Sequence, residues 1–219
     1  METKGTAPIA TYDGKATHLD WSHDGVTAKM IDWFWSNMEK GFILWHPSQH
    51  EPLEWAVPVM HGNPIGAIHI APQTWSDGRR QNLYIRFEDP KDVPTWVKDY
   101  VIYEHCVIVA GLGLGEESLA NPSPMGYRVH QWQKSDGGVV GKSSAIGTRK
   151  PEGKEEGLVW AAHCAEEIGN WGVFLPDLYR LYKVVTDTAR NPFADLSIEG
   201  GGETLRYKHI GKATQRSQL

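Results

Sequence analysis

His163 and Glu167, four residues apart, carry the clearest chemical signal in the sequence. They lie in Glu155–Trp171, which opens on acidic residues, as the positive end of a helix dipole prefers, and is interrupted by few strong breakers before Pro176. On a helix, positions i and i+4 project from one face, so an imidazole and a carboxylate placed there can bind one metal ion. The same pair also makes ordinary surface hydrogen bonds. The setting favours the metal: Trp160, Ala161, Ala162, Cys164, Ile168 and Trp171 make the segment apolar nearly all round, and a buried ionisable group needs a partner.

A second concentration of imidazoles is His46-Pro47-Ser48-Gln49-His50, two histidines on a turn stiffened by proline. Turn histidines are ordinarily solvated. Beside a buried His/Glu pair they would complete a ligand set.

Composition narrows the classes of function. The 219 residues suffice for one well-developed core, and no long Ser/Pro/Gly linker divides them. A net charge of -5 with scattered Lys and Arg argues against a nucleic-acid partner. Cys106 and Cys164 are too few for a disulfide framework, no signal peptide is evident, and no stretch reaches the roughly 20 apolar residues of a membrane span. A cytoplasmic protein without membrane or nucleic-acid partners is expected. Ten Trp, eight Tyr and five Phe serve equally to fill a core or to line a pocket for flat ligands.

The elements that must position these groups follow from periodicity. Residues 1–20 lack a clear period and read as a flexible arm, 21–190 as a single domain, and 191–219 as a polar tail. Gly25–Lys40 carries Met30, Ile31, Phe34, Trp35 and Met38 at helical spacing, with Asp24 or Thr27 as cap. Gly41–His46 reads as a short strand, and Gly66–Ala71 with Gln81–Phe87 as a hairpin. Tyr100–Ala110 is a strand with Tyr103, His105 and Val107 on one face. After a loop over Gly111–Pro124, Tyr127–Trp132 and Val139–Ile146 pair as strands, the first with Arg128, His130 and Trp132 on one face. The long helix is expected to restart at Pro176. Strands followed by a long helix give an α+β fold, an antiparallel sheet gripping the helix around a cavity.

Gly41-Phe42-Ile43-Leu44-Trp45-His46-Pro47-Ser48-Gln49-His50, Gly66-Ala67-Ile68-His69-Ile70, Leu83–Pro90 and His163-Cys164-Ala165-Glu166-Glu167-Ile168-Gly169-Asn170 together resemble the diacetylphloroglucinol hydrolase family, which includes phloretin hydrolases. The similarity runs in order over roughly residues 25–185. It implies a helix-grip fold of the Bet v 1 and START type, a zinc ion, and hydrolysis of a carbon–carbon bond between an acyl group and a phenolic ring. The family's ligands fall on His50, His163 and Glu167. Its strand glutamate has no counterpart: Ala71-Pro72-Gln73 stands there, so Gln73 supplies an amide oxygen, His69 substitutes, or three protein ligands suffice. A family tyrosine is replaced by Phe42.

The leading expectation is therefore a zinc-dependent hydrolase of an acyl phenol or polyketide. His130 or His105 would handle the proton, and Phe42, Trp45, Tyr103, Tyr127, Trp132 and Trp160 would line the substrate site. A metal-free cyclase or isomerase in the same pocket, and a non-catalytic carrier of an aromatic ligand, are the alternatives. A homodimer is left open.

Overall fold

Thr27 opens the first helix as its spacing from the apolar run requires: its side chain accepts a hydrogen bond from the Met30 amide, capping α1 (Ala28–Trp35). The computed structural model describes residues 8–76, 78–120, 123–148, 153–186, 196–199, 204 and 206–209. Within them, β1 (Ile9–Tyr12), β2 (Ala16–Asp24), β3 (Glu54–Val57), β4 (Ile68–Thr74), β5 (Arg80–Glu88), β6 (His105–Gly113), β7 (Gly126–Ser135) and β8 (Gly138–Gly147) form one sheet. All its pairs are antiparallel, in the order β1-β2-β8-β7-β6-β5-β4-β3. The β7–β8 hairpin closes through Asp136-Gly137, where Gly137 takes the positive φ of 86° that such two-residue turns need.

One face of the sheet grips helices. α4 (Lys154–Thr186) starts with Glu155 and Glu156 in its first turn. It buries Trp160, Ala161, Cys164, Ile168, Trp171 and Leu175 against Trp21 of β2, Val109 of β6 and Trp132 of β7, joined by Phe34 and Trp35 of α1. Trp171 is the hub. Its ring stacks on Trp45 at 5.7 Å and takes edge contacts from Trp21, Phe34 and Trp35 at 5.6, 5.8 and 6.0 Å. Across the sheet a second cluster contains Ile68, Ile108, Ala110, Tyr127 and Val129, covered by Val97 of the short helix α3 (Thr95–Lys98). The expected α+β grip of an antiparallel sheet on a long helix is the fold observed.

Several local expectations are corrected. Residues 9–24 are the strands β1 and β2, so the expected boundary at 20 cuts through β2. Their polar side chains hid the period, because Thr17 and His18 are buried by pairing with Ala145 and Ser144 of β8. Phe42–Trp45 is a single helical turn, α2, not a strand. A four-residue apolar run has too little length to distinguish the two periods. The strand expected at Tyr100 begins at His105, after α3, and leaves Tyr103 outside it. The loop expected over Gly111–Pro124 contains the end of β6 and a 3-10 turn at Glu116–Ala120. α4 passes through Pro176 without restarting.

The chain divides into two compact units, the larger ending at Pro176 and the smaller beginning at Asp177. In the smaller one the last turns of α4 carry an Arg180–Asp177 ion pair at 3.1 Å, and β9 (Leu196–Glu199) pairs antiparallel with β10 (Arg206–His209). Part of the expected tail is thus a hairpin, and the rest of it lies outside the described residues. Among the described residues no helix is long and apolar enough to cross a membrane.

Candidate metal centre

His50, at the end of the His46–His50 turn, is drawn to the sheet by an isolated antiparallel bridge with Gln73 of β4. The turn carries it against α4. His50 Nε2 lies 3.3 Å from His163 Nε2 and 3.3 Å from Glu167 Oε1, and His163 Nε2 lies 3.2 Å from Glu167 Oε1. All three residues are buried. Among the described residues this is the one group of histidine, cysteine or acidic side chains whose donor atoms converge closely enough to hold a metal ion.

The outer nitrogens fix what the inner ones can be. His50 Nδ1 is 2.8 Å from the Phe42 carbonyl oxygen, which can only accept, so Nδ1 carries a proton and, in the neutral ring, Nε2 is a lone pair. His163 Nδ1 likewise meets Gln49 Oε1 at 2.9 Å, so in its neutral ring too the lone pair is on Nε2. The Phe42 ring lies flat on that of His50, with centroids 3.9 Å apart and planes 3° from parallel. Two lone pairs and a carboxylate oxygen so close together repel unless a positive charge lies among them.

The spacing suits a tetrahedral transition-metal ion. Zinc–ligand bonds of about 2.0–2.1 Å at a tetrahedral angle put neighbouring donors about 3.3 Å apart. The observed 3.2–3.3 Å matches that edge. Burial pushes the Glu167 carboxyl up, but with the rings protonated the charge and hydrogen bonds of His163 and His50 outweigh it and hold the group well below the usual carboxylate range, the same direction of effect that a bound cation has on a carboxylate. Glu167 therefore stays ionised.

Other expected residues divide by sheet face. On β4, His69, Ala71 and Gln73 alternate toward the helix side, so Gln73 is buried on the interior face next to His50. His69 is interior too but packs among Phe42, Trp55 and Phe87, outside the converging group. Burial, reinforced by His50, lowers its imidazole to about 3. On β7, His130 is interior, 4.9 Å from the Trp35 ring, with Nδ1 3.0 Å from Ser143 Oγ. Burial lowers it to about 4, Arg128 adding to the effect and Glu167 opposing it. It is neutral at pH 7, unlike the ordinary histidine anticipated.

His105 sits half exposed at the start of β6, bonded to Asp32 of α1 at 3.0 Å and stacked on Trp132, so it ties helix to sheet. Tyr127 belongs to the opposite face, where it meets Trp96 at 5.8 Å. Neither supports its expected role. Tyr103 precedes β6, and its amide donates to Gln131 Oε1. Trp45, Trp132 and Trp160 are on the interior face but packed into the aromatic core. Sequence reasoning missed Gln49, although its place beside His50 was a usable signal. It also missed the Phe42 carbonyl, a backbone group that no side-chain pattern marks.

No protein-family model matches the chain, and no curated protein does. Solved structures share its architecture. A protein from Rhodobacter sphaeroides superposes with a TM-score of 0.51 at 15% identity, over 78% of this chain and 99% of that one. Ms6760 from Mycobacterium smegmatis gives 0.49 at 14% identity, over 78% and 97%. Ara h 8.0201 gives 0.46 at 13%, over 72% and 97%. At such identities likeness concerns fold alone, and the Rhodobacter sphaeroides protein is similar to this chain in its helix-and-sheet fold.

Proposed function

We propose that the chain is a zinc-dependent hydrolase that cleaves the carbon–carbon bond between an acyl group and a phenolic or polyketide ring. The observation that carries the proposal is the convergence of Nε2 of His50 and Nε2 of His163, held 3.3 Å apart and within 3.2–3.3 Å of Glu167 Oε1. His50, His163 and Glu167 would hold the ion, with Gln73 beside them on β4. Bound there, zinc supplies a Lewis acid that polarises a carbonyl and lowers the pKa of water to about 7.

The chain's own residues have definable tasks. The Phe42 carbonyl and the Gln49 amide hold each imidazole in one tautomer and one orientation. Trp21 Nε1 donates to Ser143 Oγ at 3.2 Å, and the hydroxyl, which also meets Cys164, can turn its proton to His130 Nδ1 at 3.0 Å. His130 would then carry its own proton on Nε2. A neutral imidazole of that tautomer donates a hydrogen bond to a substrate oxygen as charge develops there. In the overall reaction water adds to the acyl carbon, the bond to the ring breaks, and the ring carbon takes a proton, giving a carboxylic acid and the deacylated phenol.

A second reading is supported by the same distances, because 3.2–3.3 Å also suits a proton shared between Glu167 and an imidazole. It describes a metal-free cyclase or isomerase. Elemental analysis of the purified protein, paired with release of acetate from 2,4-diacetylphloroglucinol, separates the two. One zinc per chain, with release abolished together with the zinc in His163→Ala, is the expected result; a metal-free protein that still turns over a polyketide favours the second.

A further inference from the structure

A cavity of ≈ 390 Å³ lies along the flank of α4, with the His163 ring forming part of its wall. This is within the range of small-molecule sites. None of the aromatic residues packed in the grip interior lines it. Leu158 and Val159 form an apolar side and remain 44% and 48% exposed. Trp75 adds a flat wall, its ring 5.0 Å from that of His163 and its Nε1 held by Gln81 Oε1 at 2.8 Å.

The one carboxylate in the lining is Glu166, beside the polar Gln49 and Ser76 and the rings of His46 and His163. Ser48 Oγ and His46 Nδ1 approach it at 3.4 and 3.5 Å, and both meet Oε1. Oε2 takes no contact among the described residues, and the side chain is 49% exposed. The lining includes no lysine or arginine. A single carboxylate facing an apolar and aromatic side, with no cation in the lining, accepts a hydrogen bond from a ring hydroxyl and repels a ring carboxylate.

We propose that this cavity binds small hydroxylated aromatic molecules, the ring lying against Trp75, Leu158 and Val159 and a phenolic hydroxyl donating to Glu166. The proposal deepens the acyl-phenol reading, giving the phenol a seat outside the tryptophan-packed interior. It does not need a metal, so it can be tested without one.

The test is calorimetric titration of chelator-treated protein with 4-propylphenol and 4-propylbenzoate, using wild type, Glu166→Gln, Glu166→Lys and Val159→Glu. Wild type should bind the phenol at least about tenfold more tightly than the benzoate, and Glu166→Gln should lose about tenfold for the phenol. Glu166→Lys should reverse the preference, a gain that a misfolded variant cannot mimic. Val159→Glu should weaken both probes. Absence of phenol binding, equal binding of the two probes to wild type, or indifference of the phenol to all three substitutions overturns the proposal. Zinc affinity measured separately on the same variants reports on His50, His163 and Glu167: its absence beside intact phenol binding would refute the metal reading and leave the cavity's ligand standing.

Discussion

His50 donates its Nδ1 proton to the Phe42 carbonyl at 2.8 Å, and this one bond turns its Nε2 toward His163. The turn Phe42–Trp45, which also seats Trp45 on Trp171, thereby sets which nitrogen a buried ring offers to its neighbours.

Gln49 does the same for His163. Gln49→Leu removes the acceptor without touching a converging donor, and zinc affinity should fall about 10–100-fold. His163→Ala should fall further. Competition with graded chelators measures both, and equal affinity for Gln49→Leu and wild type would show that Gln49 does not orient the ring.

Gln73 lies on the interior face, bridged to His50, at the position where the sequence resemblance implies a glutamate. Gln73→Glu should raise zinc affinity, because an anionic ligand replaces a neutral amide. Unchanged affinity in the same competition assay would mean that the side chain at 73 stops short of the ion.

Trp171 is fully buried and touches Trp21, Phe34, Trp35 and Trp45. Trp171→Ala should destabilise the fold by about 3–5 kcal/mol. Urea unfolding followed by far-UV circular dichroism gives the value, and a loss below 1 kcal/mol would contradict its central place.

Acid should weaken the fold through His69 and His130. Their imidazoles are lowered to about 3 and about 4 by burial, from an ordinary value of 6.5. The unfolded chain therefore binds more protons than the folded one below that value, so stability falls as pH drops through 6.5 and the two contributions level off near 3 and 4. Denaturant melts of the chelated protein between pH 7 and 4 should show a shallower slope for His130→Phe than for wild type.

How far the sequence could be read depended on length and on face. The 33-residue helix α4, the His163–Glu167 pair on it, and the β4–β5 and β7–β8 hairpins were legible because each spans several periods of its pattern. Phe42–Trp45 was not, since four apolar residues suit either element. Period-2 alternation told Tyr127 from Arg128, yet which of them met the helix was decided only by the closed order of the sheet. The depressed values of His69 and His130 came from burial, which a composition cannot locate.

His163 has one ring and two neighbourhoods: its Nε2 joins His50 and Glu167, while the ring itself and its partner Gln49 line the cavity along α4. Two ligands that share a ring in this way cannot be thermodynamically independent if either shifts it. Whatever factor the ion imposes on affinity for the phenol, the phenol must impose on affinity for the ion. A guest that leaves the Gln49 bond in place would cooperate with the metal, and one that competes for the amide would expel it. Metal supply and aromatic supply would then act as exchangeable inputs to a single equilibrium, with His163 as the common term.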